Sequence, residues 1–259
     1  AGGEYPMRLT FLGTGTSGGV PSIGCDCAVC RSTNPHDKRL RSAALLETDT
    51  TRILIDSGPD IRQQLLAQPF RKIDAVLLTH IHYDHVAGID DLRPHCIFGD
   101  INIYADKSTV KGLKQTMPYC FTDKLYPGVP LLKLHTIVPH QHIRIGDIEL
   151  LPIQVMHNRL PILGYRFGRL AYITDMKMID ADELRYLQGV ETLVINALRF
   201  EKEHHSHQLV ADAIKFSHHI EAQRTYLIHI THQIGFHDEA NRRLPAGFQF
   251  PYDGMEIEV

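Results

Sequence analysis

VLLTHIHYDH, residues 76–85, sets four metal-capable side chains, His80, His82, Asp84 and His85, directly behind a run of apolar, β-forming residues. On a helix, residues two apart point about 200° away from each other, so His80 and His82 could not share a metal there. A loop leaving a buried strand can splay them, and residues 75–79 are therefore expected as a strand with the histidines in the loop behind it. One histidine alone commonly satisfies a local polar need. A cluster this tight points to ligands instead.

Outward from this stretch the same arrangement repeats. Asp56 ends ILID, His157 follows LPIQVM, Asp175 ends AYIT, and His229 sits in TYLIHI. Polar groups at the ends of several apolar strands converge on one edge of a layered α/β structure, where such proteins place their ligands. Strands are expected at 8–13, 43–48, 52–56, 75–79, 102–105, 131–138, 143–155, 164–174, 192–197, 225–230 and 247–259. Helices are expected at 61–68, 107–117, 181–188 and 208–219. The alternation predicts an α/β fold in which two sheets pack face to face beneath outer helices, with residues 1–259 as a single domain.

Composition narrows the function. A formal charge of -3 provides no global basic field, which argues against a protein that coats nucleic acid. No run approaches the roughly 18 apolar residues of a membrane span, and AGGEYPMR lacks the order of a signal peptide, so a cytoplasmic location is expected. Residues 1–6 read equally as native or as foreign, since Met7 could itself be a start. Seventeen histidines are the compositional oddity, and metal binding is the commonest special use of imidazole.

GTGTSG, residues 13–18, satisfies a dinucleotide-binding pattern in form. It runs on into Gly19, Val20, Pro21 and then cysteines, so no helix N-terminus follows to receive a pyrophosphate. A turn that lets backbone pass close to the site accounts for these glycines better. Five cysteines, three of them crowded as Cys25, Cys27 and Cys30, do not make a disulfide framework. Their C-x-C-x2-C spacing instead suggests thiolate ligands, one short of a tetrahedral zinc.

HxHxDH at 80–85, with His157, Asp175 and His229 following in order, resembles the metallo-β-lactamase superfamily, and the resemblance spans most of the chain. It implies an αββα sandwich of two mixed sheets, with His80, His82 and His157 on one divalent metal and Asp84, His85 and His229 on a second. Asp175 would bridge the two, and the metals, Mn or Zn, would share an attacking hydroxide. Asp84 then counts among the catalytic residues as well as the ligands. Asp56 recurs there as a carboxylate that orients a ligating histidine; read from the residues alone, it could equally cap the helix behind it.

LGTGTSGGVPSIGCDCAVC, the late HITH pair and the terminal DGMEIEV are together similar to the PhnP family, cyclic-phosphoribose phosphodiesterases of the carbon–phosphorus lyase pathway. That likeness implies a structural zinc on Cys25, Cys27, Cys30 and His232, within a zinc-binding loop at about 13–31. It also implies a small-molecule phosphodiester as substrate, a homodimer, and His205 as the proton donor. EKEHHSHQ leaves His204 and His207 open for that role. His140, His142, His218 and His219 are expected at the surface. Arg39, Arg41 and Arg199 are candidate phosphate contacts, although an ordinary solvated or paired role is the simpler reading. Two rivals remain: an accessory protein of the pyrroloquinoline quinone B type, similar in its zinc loop and its terminal segment, and a tRNA 3′-processing nuclease, which would use the same ligands but for which no basic arm is visible.

Overall fold

The computed structural model describes residues 6–259. One sheet is built from β1 (Arg8–Gly13), β2 (Ala43–Glu47), β3 (Arg52–Ile55), β4 (Ala75–Leu77), β5 (Ile101–Ala105), β6 (Leu132–Thr136) and, from the far end of the chain, β14 (Glu256–Glu258). The other holds β7 (Ile143–Ile145), β8 (Ile148–His157), β9 (Leu160–Phe167), β10 (Leu170–Ile173), β11 (Thr192–Asn196), β12 (Arg224–Ile228) and β13 (Phe248–Gln249). Their orders, β14-β1-β2-β3-β4-β5-β6 and β13-β12-β11-β10-β9-β8-β7, mix antiparallel and parallel neighbours. β14 returns to pair antiparallel with β1, Leu9 opposite Ile257.

Strands buried on both faces read as continuous apolar runs, and alternate residues serve different layers. Phe11, Leu46, Ile53 and Ile55 meet Leu163, Tyr165, Tyr172 and Ile228 between the sheets. Offset by one, Leu45, Leu54 and Val76 pack under α1 (Ile61–Leu66) and α3 (Lys107–Thr116) through Ile61, Val110 and Leu113. On the other flank, Ile173, Ile195 and Leu227 pack under α4 (Val210–His219) through Val210 and Ala213. Each such aliphatic side chain contributes about 1.5–3 kcal/mol on burial. The result is the expected αββα sandwich.

Three expected strands divide. Residues 143–155 turn back at Gly146, which has φ +57°, to form the β7–β8 hairpin, and 164–174 turn at Gly168, also at φ +57°, between β9 and β10. Glycine reaches this conformation without steric cost, so both β-rich runs could fold over. The stretch 247–259 splits between the two sheets. Residues 181–188 form a 3-10 helix, Ala181–Leu187, and the helical elements that were not anticipated include α2 (Tyr83–Val86), a 3-10 run at Ile89–Phe98, and α5 (His237–Arg242). Among the described residues no helix is long and apolar enough to cross a membrane. The question about residues 1–6 lies almost wholly outside the described residues.

Candidate metal centre

Three strands end in a residue with left-handed backbone: Asp56 after β3 (φ 63°), Asp175 two residues after β10 (φ 55°) and His229 after β12 (φ 59°). For a non-glycine residue that conformation costs free energy and clusters at functional sites. It breaks the strand's side-to-side alternation and turns each side chain onto the sheet edge. His157, the last residue of β8, and His80, three residues beyond β4, reach the same edge. The loop expected to carry the whole HIHYDH stretch instead becomes helical at Tyr83, so Asp84 and His85 sit on α2 while His80 and His82 stay extended before it. Gly58 makes this fit possible, since a Cβ there would lie 2.1 Å from the Asp84 carbonyl oxygen.

The seven expected ligands form two groups that share Asp175: His80, His82 and His157 in one, and Asp84, His85 and His229 in the other, with the ligand atoms of each group within 4.8 Å of one another. Asp175 Oδ2 lies 3.0 Å from His80 Nε2 and 2.9 Å from His85 Nε2, and its Oδ1 lies 2.8 Å from His229 Nε2. Asp84 Oδ2 is 3.0 Å from His85 Nε2 and 3.2 Å from His229 Nε2. His82 alone is solvent-exposed, so the cluster opens on its side.

The Nδ1 atoms of His80, His85 and His157 are held from behind. His85 Nδ1 donates to Asp56 Oδ2 at 2.6 Å, and Asp56 also accepts from the Thr79 amide and hydroxyl, both at 2.9 Å. The Thr79 hydroxyl in turn accepts from His80 Nδ1 at 2.9 Å, while His157 Nδ1 donates to the Asp175 carbonyl at 2.9 Å. Protons on Nδ1 leave each Nε2 as a lone pair facing the cluster. Asp56 therefore orients His85 directly and His80 through Thr79; it does not cap α1.

These residues fit divalent cations. His80 Nε2, His85 Nε2 and Asp175 Oδ1 are buried with no hydrogen-bond partner despite their short contacts, and fully buried polar atoms rarely stay unpaired. Burial raises the cost of the Asp175 carboxylate, yet His229 and His85 hold its pKa far below the ordinary value. Burial opposes charge on His229 as well, and Asp175 and Asp84 lift it to about 9. Two carboxylates that draw protons onto buried imidazoles this strongly are equally placed to draw metal ions.

Of the three histidines open for the proton-donor role, His207 and not His205 lies against the cluster. His205 is exposed, and its ring stacks on His204 with centroids 4.2 Å apart. His207 is the histidine that faces the cluster: its Nδ1 lies 3.9 Å from Asp175 Oδ1, and its ring is 5.1 Å from His157 and 5.0 Å from His229. Burial pushes its pKa down to about 3, with His229 adding to the effect.

The three candidate phosphate arginines are also engaged elsewhere. Arg39 is buried and donates to Thr14 Oγ1, the Pro251 carbonyl and His237 Nδ1; burial lowers it to about 10. Arg41 pairs with Asp60 at 3.1 Å, and Arg199 donates to the carbonyls of Lys202 and Glu203 and to Gln233. Of the supposed surface histidines, His140 instead stacks on Tyr186 and binds Glu183 at 2.8 Å.

Cys25, Cys27, Cys30 and His232 gather as the second expected site, His232 Nδ1 lying 3.3 Å from Cys27 Sγ and 4.0 Å from Cys25 Sγ. The Cys30 amide stabilises the Cys27 thiolate and lowers its pKa to about 6, while burial lifts Cys30 to about 11. The glycines do allow close passage: a Cβ at Gly13 would lie 1.9 Å from the Arg41 carbonyl oxygen. Thr16 donates to Ile230 O at 3.0 Å, so the cysteine loop is tied to the residue after His229. A further group, His36, His237 and Asp238, lies beside the Arg39 guanidinium, which disfavours a cation there.

Two supports had no sequence signal. Asn196, ending β11, grips both the amide and the carbonyl of Met176 at 2.9 Å and so fixes the turn that carries Asp175. Gln208 donates to the Asn196 carbonyl at 2.8 Å. Nothing in their spacing marks either as special.

A family model described as a beta-lactamase superfamily domain matches residues 51–230. A diphosphatase of the PhnP family has a TM-score of 0.90 at 38% identity, covering 98% of this chain and 97% of that one. Zn²⁺-bound PqqB from Methylobacterium extorquens, at 21% identity and TM-score 0.80 over 97% and 100% of the two chains, shares the fold. Among curated proteins, an octanoyltransferase of Porphyromonas gingivalis is 45% identical over 98% of this chain and 52% of its own. A coenzyme PQQ synthesis protein B of Acinetobacter baumannii is 30% identical over 62% and 57%. This chain thus spans about half the length of the curated relatives it matches. It belongs to the metallo-β-lactamase superfamily and, within it, is similar to the PhnP family.

Proposed function

We propose that this single-domain chain hydrolyses a small phosphodiester, with a cyclic ribose phosphate or the P–O–P link of a diphosphate ester as the candidate substrates. The carrying observation is the Asp175 carboxylate in contact with imidazoles of both groups, with His207 beside it. His80, His82 and His157 would hold one divalent cation, Asp84, His85 and His229 another, and Asp175 would face both; ligand type leaves Mn and Zn open. When bound, such a pair supplies an activated water and neutralises charge on the phosphoryl group.

The chain's own residues do the rest. Asp56 and Thr79 fix the ring orientations of His85 and His80, so the site is built before substrate arrives. His207 gives a proton to the oxygen that leaves as the P–O bond breaks, in place of the His205 expected from the resemblance. With Arg39, Arg41 and Arg199 all engaged within the fold, none of the three is left to grip a polynucleotide, which supports a small substrate. The Cys25, Cys27, Cys30 and His232 group would take a structural zinc.

Assays of bis(p-nitrophenyl) phosphate with added Mn²⁺ or Zn²⁺ test this reading, and ³¹P NMR with cyclic ribose phosphates tests the substrate. His207→Ala should slow hydrolysis of an alkyl ester by about 10²–10⁴-fold while keeping its metal. No turnover with either metal would instead favour an accessory role like that of the coenzyme PQQ relatives.

A further inference from the structure

His207 lies in a loop with no regular structure of its own. Leu198 N to Gln208 O and Val210 N to Arg199 O, at 2.9 and 3.0 Å, close its neck, and among the described residues no backbone–backbone hydrogen bond falls within 200–207. Its carbonyls are taken up by two cationic side chains. Arg199 donates to Lys202 O at 2.7 Å and Glu203 O at 3.4 Å; Lys177 Nζ donates to His204 O at 2.9 Å and His207 O at 3.3 Å.

The two staples are rooted differently. Arg199 also holds Gln233, beside the cysteine group's His232. Lys177 stands two residues beyond Asp175, next to the Met176 turn that Asn196 clamps, and its own amide donates to Met156 O at 2.8 Å, beside His157. Its backbone is therefore fixed to the frame that places both Asp175 and His157. We propose that Lys177 is the positioning residue of the proton donor: its ammonium holds the His207 backbone against the metal cluster and sets where that ring stands. A charge-assisted bond to a carbonyl is strong enough to order a loop that has no ladder of its own. The inference rests on His207 as donor, and on no titration.

Lys177→Met removes the donors while keeping the length of the side chain, and Lys177→Arg keeps donors. Two substrates separate the roles: an alkyl phosphodiester, whose leaving group needs a proton, and bis(p-nitrophenyl) phosphate, whose leaving group does not. We expect Lys177→Met to lower kcat at least about tenfold on the alkyl ester and less than about threefold on the nitrophenyl ester, with recovery in Lys177→Arg. Metal content should be unchanged, and amide hydrogen exchange across 201–208 should quicken.

An equal loss of kcat on both esters, or unchanged exchange in the loop, overturns the proposal. So does a rise in KM alone, which would mark Lys177 as a phosphate contact. If His207→Ala is leaving-group-selective and Lys177→Met is not, the positioning role fails while the donor assignment stands. If His207→Ala shows no selectivity, the donor assignment itself is wrong.

Discussion

The two ligand groups are assembled by opposite means. The histidine–aspartate cluster draws on β3, β4, β8, β10, β12 and α2, is mostly buried, and is turned inward at three left-handed strand ends. The cysteine group takes three of its four members from six consecutive residues, is partly exposed except at the buried Cys30, and carries no carboxylate. The first is made by the fold and costs strain and buried charge. The second makes local structure, fastening a loop of turns to the residues behind His229. Damage to the first should therefore strike chemistry, and damage to the second should strike stability.

The largest expected effect is at the shared carboxylate. Asp175→Ala should lower turnover at least about 10³-fold, because it removes the one group common to both sets. Metal analysis should show loss from this cluster, and no change in any metal that Cys25, Cys27, Cys30 and His232 hold. Next, Cys27→Ser should cost several kcal/mol in urea unfolding, as expected where bound metal contributes directly to folding. Its activity, measured below its unfolding midpoint, should change far less than that of Asp175→Ala.

Asp56→Asn sharpens the contrast further, since it touches no metal but holds His85 at 2.6 Å. Metal affinity should fall about 10–100-fold, read by competition with a chelator. The smallest effect concerns the scaffold around the buried Arg39. Burial, with Arg39 adding to it, depresses the pKa of His237 from 6.5 to about 4. Between those values the unfolded chain binds a proton that the folded chain does not, so stability is full above about 6.5 and falls as pH drops toward 4. The difference between wild type and His237→Gln should shrink by on the order of 1–3 kcal/mol across that window, measured by urea titrations at pH 7 and 5.

Much of the cluster was legible because His80, His157, Asp175 and His229 each follow an apolar run, and side-chain type plus strand end are both local features. The chemistry of Cys25, Cys27 and Cys30 was local in the same sense. What could not be read depended on paths that the chain takes far from the residue concerned. Which of the three neighbouring histidines faces the cluster depends on a loop whose carbonyls meet Lys177 and Arg199, and those partners leave no sequence trace. Arg39 looks like any arginine until Thr14, Pro251 and His237 enclose it. Gly146 and Gly168 lie inside β-rich runs, and only their positive φ shows that the chain reverses there.

Anomalous diffraction from crystals soaked in Mn²⁺ is the most direct test. Two peaks are expected, one among His80, His82 and His157 and one among Asp84, His85 and His229, with Asp175 between them. A single peak on only one side of Asp175, or none within reach of these side chains, would contradict a paired centre.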